Sequence, residues 1–272
     1  MKTLSLALLF SALASPVLAQ DLVPQTFRIN DLKTNGDACP QGTTTINISD
    51  DKEAFTVNFS QFYVQKGPGA EPGDKRKFCR AVFDTEQDAN WEYAVLAVNV
   101  RGFVQLDDKV VATQELQFGT RGIEYTAQKQ FWGPTVEDYV HGEQIAFGNG
   151  RWSGCKAKAA DRVKDFVVKS TAALTGGGKN ASGLMTVDSI DGALVQSYEL
   201  VWRQCGDKKA KFLASCQVTG NNGRTVFVKG MGRDESRANQ KAYQHLQERC
   251  AKVGPNFGAC DQSLAQCSVM KF

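Results

Sequence analysis

Between Thr43 and Cys205 apolar residues recur at every second position rather than every third or fourth. TINIS, AFTVNF, FYVQK, CRAVFDT, YAVLAVNVRGFVQLD, VVATQELQF, IEYTAQKQF, EQIAF, DFVVKSTAAL and YELVW each alternate or run β-branched over four or more residues. That period marks strands with one buried face. Gly, Asn and Asp clusters separate them. About ten short strands at this spacing, with no helical stretch between them, predict a mainly β fold, an antiparallel β-sandwich or a flattened barrel. Residues 67–77 (GPGAEPGDKRK) and 175–183 (TGGGKNASG) read as loops, rich in turn formers and poor in apolar side chains.

The texture changes after Cys205. GDKKAK is a short polar linker, and FLASCQVTG and RTVFVKG are two strands joined through Asn222-Gly223, a type I′ hairpin signal. DESRANQKAYQHLQERCAK then predicts a helix. Asp234 caps it, Glu235 complements its dipole, Arg249 and Lys252 sit near its end, and Ala238, Ala242, Leu246 and Cys250 share one face. Residues 254–272 form a tail with two cysteines. The expected organisation is a β-sandwich domain over 20–206 and a small disulfide-stapled ββα unit over 207–272.

Residues 1–19 have a different character. Lys2 precedes an uncharged stretch from Leu4 to Leu18, too short for the roughly 20 apolar residues of a membrane span, and Pro16 with Val17-Leu18-Ala19 supplies a cleavage site. The segment reads as a signal peptide cut after Ala19, giving a secreted or periplasmic chain with no transmembrane segment after cleavage. Basic and acidic residues number 32 and 29, a balance too even to imply nucleic acid or anionic lipid as partner. The eight cysteines, Cys39, Cys79, Cys155, Cys205, Cys216, Cys250, Cys260 and Cys267, read as a disulfide framework in an exported chain. Zinc is the competitor, and its close Cys and His spacing is absent. The cysteines fall four on each side of the linker. Cys39 with Cys79 and Cys155 with Cys205 each bracket a block of strands, and Cys216 with Cys250 would clamp helix to hairpin, leaving Cys260 with Cys267.

Ala38-Cys39-Pro40-Gln41-Gly42-Thr43, Lys77-Phe78-Cys79, Trp152-Ser153-Gly154-Cys155 and Leu200-Val201-Trp202-Arg203-Gln204-Cys205 stand in that order. With Arg101-Gly102-Phe103, Leu106-Asp107 and Gly133-Pro134, they resemble an exported four-cysteine β-domain family of bacteria and fungi known as domain of unknown function 4360. The resemblance covers about residues 38–205. Family members commonly carry proline after the serine of the third motif, where Gly154 stands here. The resemblance implies export and a β fold and brings no activity with it.

Other chemistry is thinly represented. There is no Gly-x-Ser-x-Gly, and the two histidines, His141 and His245, fall in different units, His245 reading as a surface residue of the helix. Asp50-Asp51, Asp107-Asp108 and Asp188 with Asp191 read as turn residues, with calcium or a carboxylate pair for glycan hydrolysis as alternatives. Gly176-Gly177-Gly178-Lys179 lacks the spacing and the helix of a phosphate loop. Trp91, Trp132, Trp152 and Trp202 serve packing or sugar stacking, Trp91 and Trp132 being the stronger candidates for stacking because they flank turns. Asp234 and Glu235 would repel phosphate where a double-stranded-RNA-binding helix carries lysines. Asn47, Asn58 and Asn180 head glycosylation sequons. No catalytic, cofactor or metal residue is assigned. The function expected is an exported, non-catalytic β protein, structural or ligand-binding, with a cell-wall glycan or another envelope protein as candidate partner. A secreted glycan hydrolase with a carboxylate pair, or an inhibitor presenting residues 67–77, are the alternatives.

Overall fold

A computed structural model describes residues 23–120, 125–144, 152–155, 166–187, 196–205, 210–219, 225–253 and 265–271; the signal segment lies outside them. In chain order the strands are β1 (Phe27–Asn35), β2 (Thr44–Ile48), β3 (Ala54–Phe59), β4 (Tyr63–Lys66), β5 (Arg76–Gln87), β6 (Trp91–Leu106), β7 (Val110–Gly119) and β8 (Tyr125–Trp132). They continue with β9 (Thr135–Gln144), β10 (Phe166–Gly176), β11 (Gly183–Thr186), β12 (Gln196–Gln204), β13 (Phe212–Thr219), β14 (Thr225–Gly232) and, after helix α1 (Glu235–Val253), β15 (Gln266–Lys271).

Alternation decides which face each strand buries. In β7, Val110, Ala112, Gln114, Leu116 and Phe118 are buried while the residues between them are not; in β5 the buried set is Cys79, Ala81, Phe83, Thr85 and Gln87. Two antiparallel sheets result. One has the order β1-β5-β10-β7-β8, and the other β2-β3-β12-β6-β11-β4 with β9 also paired to β6. They remain separate sheets, so the sandwich forms and the flattened barrel does not. Phe55, Phe83, Phe118, Phe166 and Tyr198 interlock between them, with ring centroids 4.7–5.9 Å apart. Each such buried side chain contributes about 1.5–3 kcal/mol. One polar chain runs through this core: Tyr198 donates to Gln196 Oε1 at 2.9 Å, and Gln196 Nε2 donates to Ser170 Oγ at 3.0 Å.

Four strands lie outside the alternating segments. β1 and β9 are sheet edges whose apolar residues do not keep one face: in β1, where only Phe27 is fully buried, the register shifts between Ile29 and Asp31, and in β9 the exposed Val136 and Val140 alternate with the buried Tyr139 and His141. β11 is four residues long, inside the stretch read as a loop and its continuation. β15 occupies part of the expected tail and pairs with β13, making the third sheet β14-β13-β15, so the C-terminal unit is ββαβ rather than ββα.

That extra strand corrects the disulfide map. Cys39–Cys79 and Cys155–Cys205 form as the strand blocks predict. Cys216, however, bonds to Cys267 and not to Cys250, because β15 sets Cys267 directly opposite Cys216, with Cα atoms 4.1 Å apart. Cys250 is also disulfide-bonded, and Cys260 lies outside the described residues.

Helix α1 begins as expected, with the Arg237 N–H donating to Asp234 Oδ1 at 2.9 Å. Its face of Ala238, Ala242, Leu246 and Cys250 packs on Ala214, Cys216, Val218, Val226 and Val228. Gly230 permits this close approach, since a Cβ there would lie 2.1 Å from the Ala242 nitrogen and 2.4 Å from the Ala238 carbonyl oxygen. The other face of the small sheet docks on the sandwich: Ala210, Leu213 and Met231 meet Ala94, Leu96 and Val201 on the outside of β6 and β12. Arg249 adds a bridge, its Nη2 lying 3.1 Å from Asp51 Oδ2 and 3.0 Å from Glu53 Oε2. His245 corrects the surface reading. It is partly buried, and desolvation lowers its pKa to about 4, with Arg249 and Lys241 pushing the same way against a hydrogen bond to the Lys229 backbone.

Candidate functional site

The outer face of the seven-stranded sheet is divided by β6, whose 16 residues outrun any one neighbour. Its first part pairs with β12 and is covered by the C-terminal unit. Its last four residues pair with β11 on one side and β9 on the other. Val64, Met185 and Val104 point inward and are buried, so the residues beside them point out. The register then sets Gln65, Leu184, Gln105 and Val136 in one cross-strand row and Tyr63, Thr186, Phe103 and Asp138 in the next. Four strands span about 14 Å at the usual strand spacing. Tyr63, Val136 and Val140 are the large apolar side chains exposed on this half, with 40, 67 and 56% of their surface accessible.

A cleft of about 320 Å³ sits on the first row. Gln65, Leu184 and Gln105 line its floor, the turn Pro68-Gly69-Ala70 stands along one side, and Asp107 and Ser182 close one end. The segment 67–77 read as a loop is held back against the sheet. Gln65 Nε2 and the Glu71 N–H both donate to Asp74 Oδ2, at 3.0 and 3.2 Å, and these bonds, with the Lys77 ammonium, hold the Asp74 carboxyl below its ordinary pKa. Lys77 Nζ lies 4.4 Å from the centre of the Tyr63 ring. At the closed end the Ser182 N–H donates to Asp107 Oδ2 at 2.7 Å, and Lys66 Nζ donates to the Gly176 carbonyl. The two charged side chains of the cleft are therefore one anion and one cation, each bonded to the backbone.

The other candidates separate from this site. Trp91 and Trp202 are buried, and Trp202 donates from Nε1 to the Lys52 carbonyl at 2.7 Å. Trp152 lies under the Arg203 guanidinium at 3.9 Å, and Arg203 Nε reaches the buried Glu92 Oε1 at 2.6 Å. Trp132 alone among the tryptophans is exposed, at the end of edge strand β8, so the four form no stacking strip. Asp51 is bonded by Ser49 Oγ, the Glu53 N–H and Arg249, which together overcome the upward effect of burial and lower its pKa. Asp188 and Asp191 lie outside the described residues. His141 is buried and shares a hydrogen bond with Gln114 Oε1 at 3.1 Å. Among the described residues no three His, Cys, Asp or Glu side chains cluster as a metal site would require.

The motif residues have structural roles. Ser153 Oγ accepts from Gln87 Nε2 and from the Tyr93 N–H, both at 3.0 Å, tying the strand ends beside the Cys155–Cys205 bridge. Gly154 has φ of 92°, a conformation closed to proline, so the turn here is one that the commoner proline could not adopt. Gln65, Gln105 and Leu184 belong to no motif. Their outward alternation was legible, but their meeting in one row depends on the register of β4, β11 and β6.

The family described as "Domain of unknown function (DUF4360)" matches residues 25–205. An "Uncharacterized secreted protein" of Arthroderma benhamiae (strain ATCC MYA-4681 / CBS 112371) is 29% identical over 184 residues, covering 67% of this chain and 73% of its own. Among solved structures, TmCBM61 in complex with beta-1,4-galactotriose is 9% identical, with 65% of this chain and 90% of that chain covered and a TM-score of 0.23. A chain of Broad Bean Stain Virus is 10% identical, with 53 and 86% covered and a TM-score of 0.24. Likeness at these scores carries no argument about fold or ligand.

Proposed function

We propose that this chain, which belongs to the DUF4360 family, is an exported, non-catalytic binding protein whose ligand sits on the open half of the seven-stranded sheet. Export is supported by the signal-like segment 1–19, by the disulfides, and by a relative described as secreted. The observation that carries the binding reading is the cleft on the Gln65–Leu184–Gln105 row. Its volume is at the small end of the range for ligand sites, and it combines an apolar floor with a few convergent polar groups.

The non-catalytic reading rests on how the nearby carboxylates are used. Asp107 is bonded to the Ser182 backbone and Asp74 to Gln65 and Glu71, so each carboxylate is held by hydrogen bonds that fix the cleft rather than set opposite a partner carboxylate as an acid and base pair would be. The inhibitor alternative loses support from the 67–77 segment, whose Asp74 is tied back to Gln65 on the cleft floor.

The test is a binding screen of the mature protein against cell-wall fractions and a glycan array, run beside turnover assays on glycan, ester and peptide substrates. Retention by a wall or glycan fraction without turnover is expected. Hydrolysis abolished by one Asp or Glu substitution in a folded variant would overturn the non-catalytic reading. N-terminal sequencing of exported material should begin at or near Gln20.

A further inference from the structure

Resting on that reading, we infer that the cleft takes a neutral oligosaccharide, with one sugar ring over Leu184 between Gln65 and Gln105 and a second on the Tyr63–Phe103 row. Three observations lead there. The first is charge: Lys66 and Asp107 balance one another, and each is engaged by backbone, Lys66 with Gly176 and Asp107 with Ser182. An anionic ligand would meet Asp107 without a free cation beside it, and a cationic ligand would meet Lys66, so neither gains the charge-assisted bonds that recognise ions.

The second observation is the arrangement of polar atoms. Gln65 spends its amide N–H on Asp74, which leaves its carbonyl oxygen as an acceptor towards the cleft. Gln105 is exposed and offers both donor and acceptor, and Asp107 Oδ1 is a second acceptor once Oδ2 is bonded to Ser182. These neutral or neutralised groups surround the apolar Leu184. A sugar ring has that pattern in reverse, with hydroxyls at its rim that both donate and accept and C–H groups on its face.

The third observation is the row beyond. Tyr63 stands two residues from Gln65 on the same face of β4, and Phe103 two residues from Gln105 on β6, about 6.6 Å along the strands. One face of the Tyr63 ring is occupied by the Lys77 ammonium, and the residue is 40% exposed. With the partly buried Phe103 it offers aromatic surface next to the cleft, where a second ring would rest.

The experiment is a ¹⁵N-resolved NMR titration of the mature chain with neutral cello-, xylo-, manno- and galacto-oligosaccharides, with an oligogalacturonate and a mixed short-peptide pool as further arms. At least one neutral oligosaccharide should shift the amides of residues 65–70, 105–107 and 182–184 together. Gln105→Ala should weaken that ligand tenfold or more without changing the thermal midpoint. Tyr63→Ala should weaken a longer oligosaccharide at least fivefold while leaving the matching monosaccharide unchanged. If no neutral sugar shifts these amides, the inference is wrong. Should the acidic sugar or a peptide shift them instead, the ligand class fails while the binding face stands. If wall fractions retain the protein but Gln105→Ala and Tyr63→Ala are retained equally, the binding face itself fails.

Discussion

Replacing Arg249 by methionine removes the bridge between the C-terminal helix and the turn after β2 while keeping most of the aliphatic stem. Nη2 serves two carboxylates, Asp51 at 3.1 Å and Glu53 at 3.0 Å, and Nη1 donates to the Phe227 carbonyl at 3.3 Å. The Asp51 side chain is 39% exposed, so its share of the bridge is at most about 1 kcal/mol. Glu53 is 17% exposed, and burial already raises its pKa against the pull of Lys229 and Arg249. Losing Arg249 strands that carboxylate, at a cost of about 2 kcal/mol, below the range for fully buried pairs. Arg249→Met should therefore destabilise the chain by about 2–3 kcal/mol at neutral pH. Adding Glu53→Gln removes the stranded charge and should recover about 1–2 kcal/mol, a coupling well outside additivity. Urea unfolding followed by far-ultraviolet circular dichroism and by tryptophan fluorescence measures both. A single variant within about 0.5 kcal/mol of wild type, or a strictly additive double variant, would refute the bridge as a docking element.

Other outcomes follow from the same contacts. The His245 pKa is depressed to about 4, so the unfolded chain binds the extra proton first: its contribution is fully present above pH 6.5 and is lost as pH falls through about 4. Allowing for partial exposure, the loss is about 1–2 kcal/mol, and His245→Gln should flatten stability over that window. Removing the Cys216–Cys267 bridge, which spans 51 residues, by a double alanine variant should cost about 2–4 kcal/mol in denaturant titrations. Gly230→Ala should destabilise the C-terminal unit by at least about 1–3 kcal/mol, measured as loss of helical signal at lower urea, because its Cβ would meet backbone atoms of α1 that cannot turn aside. Arg203→Leu strands the buried Glu92 and should cost about 3 kcal/mol in the same titrations.

The parts of this molecule legible in its sequence are those set by local periodicity. The long strands β5 and β7 were visible because burial repeats every two residues, β6 and β10 because they carry apolar runs of strand length, and the Asp234-capped helix because Ala238, Ala242, Leu246 and Cys250 recur at helical spacing in α1. Edge strands β1 and β9 were not, since a register shift after Ile29 interrupts the period in β1 and exposed valines on the outer face blur it in β9. β15 lies in a polar tail whose pairing with β13 no local signal announces, and the partner of Cys216 depends on that pairing. The site was hidden for a related reason. Asp107 and the 67–77 turn stood out separately, but Gln65, Leu184 and Gln105 become a floor only through register across three strands distant in sequence.

If the open half of the seven-stranded sheet is the binding face, Leu184→Trp should abolish binding. An indole at the centre of the cleft floor fills the space a ligand would use, on an outward-facing side chain whose enlargement leaves the core intact. Wild type and variant are compared for retention on the same cell-wall glycan fraction, with thermal unfolding as the control for folding. Wild type should be retained and the variant, melting at the same temperature, should pass through. Equal retention of a folded Leu184→Trp variant would place the ligand elsewhere on the molecule.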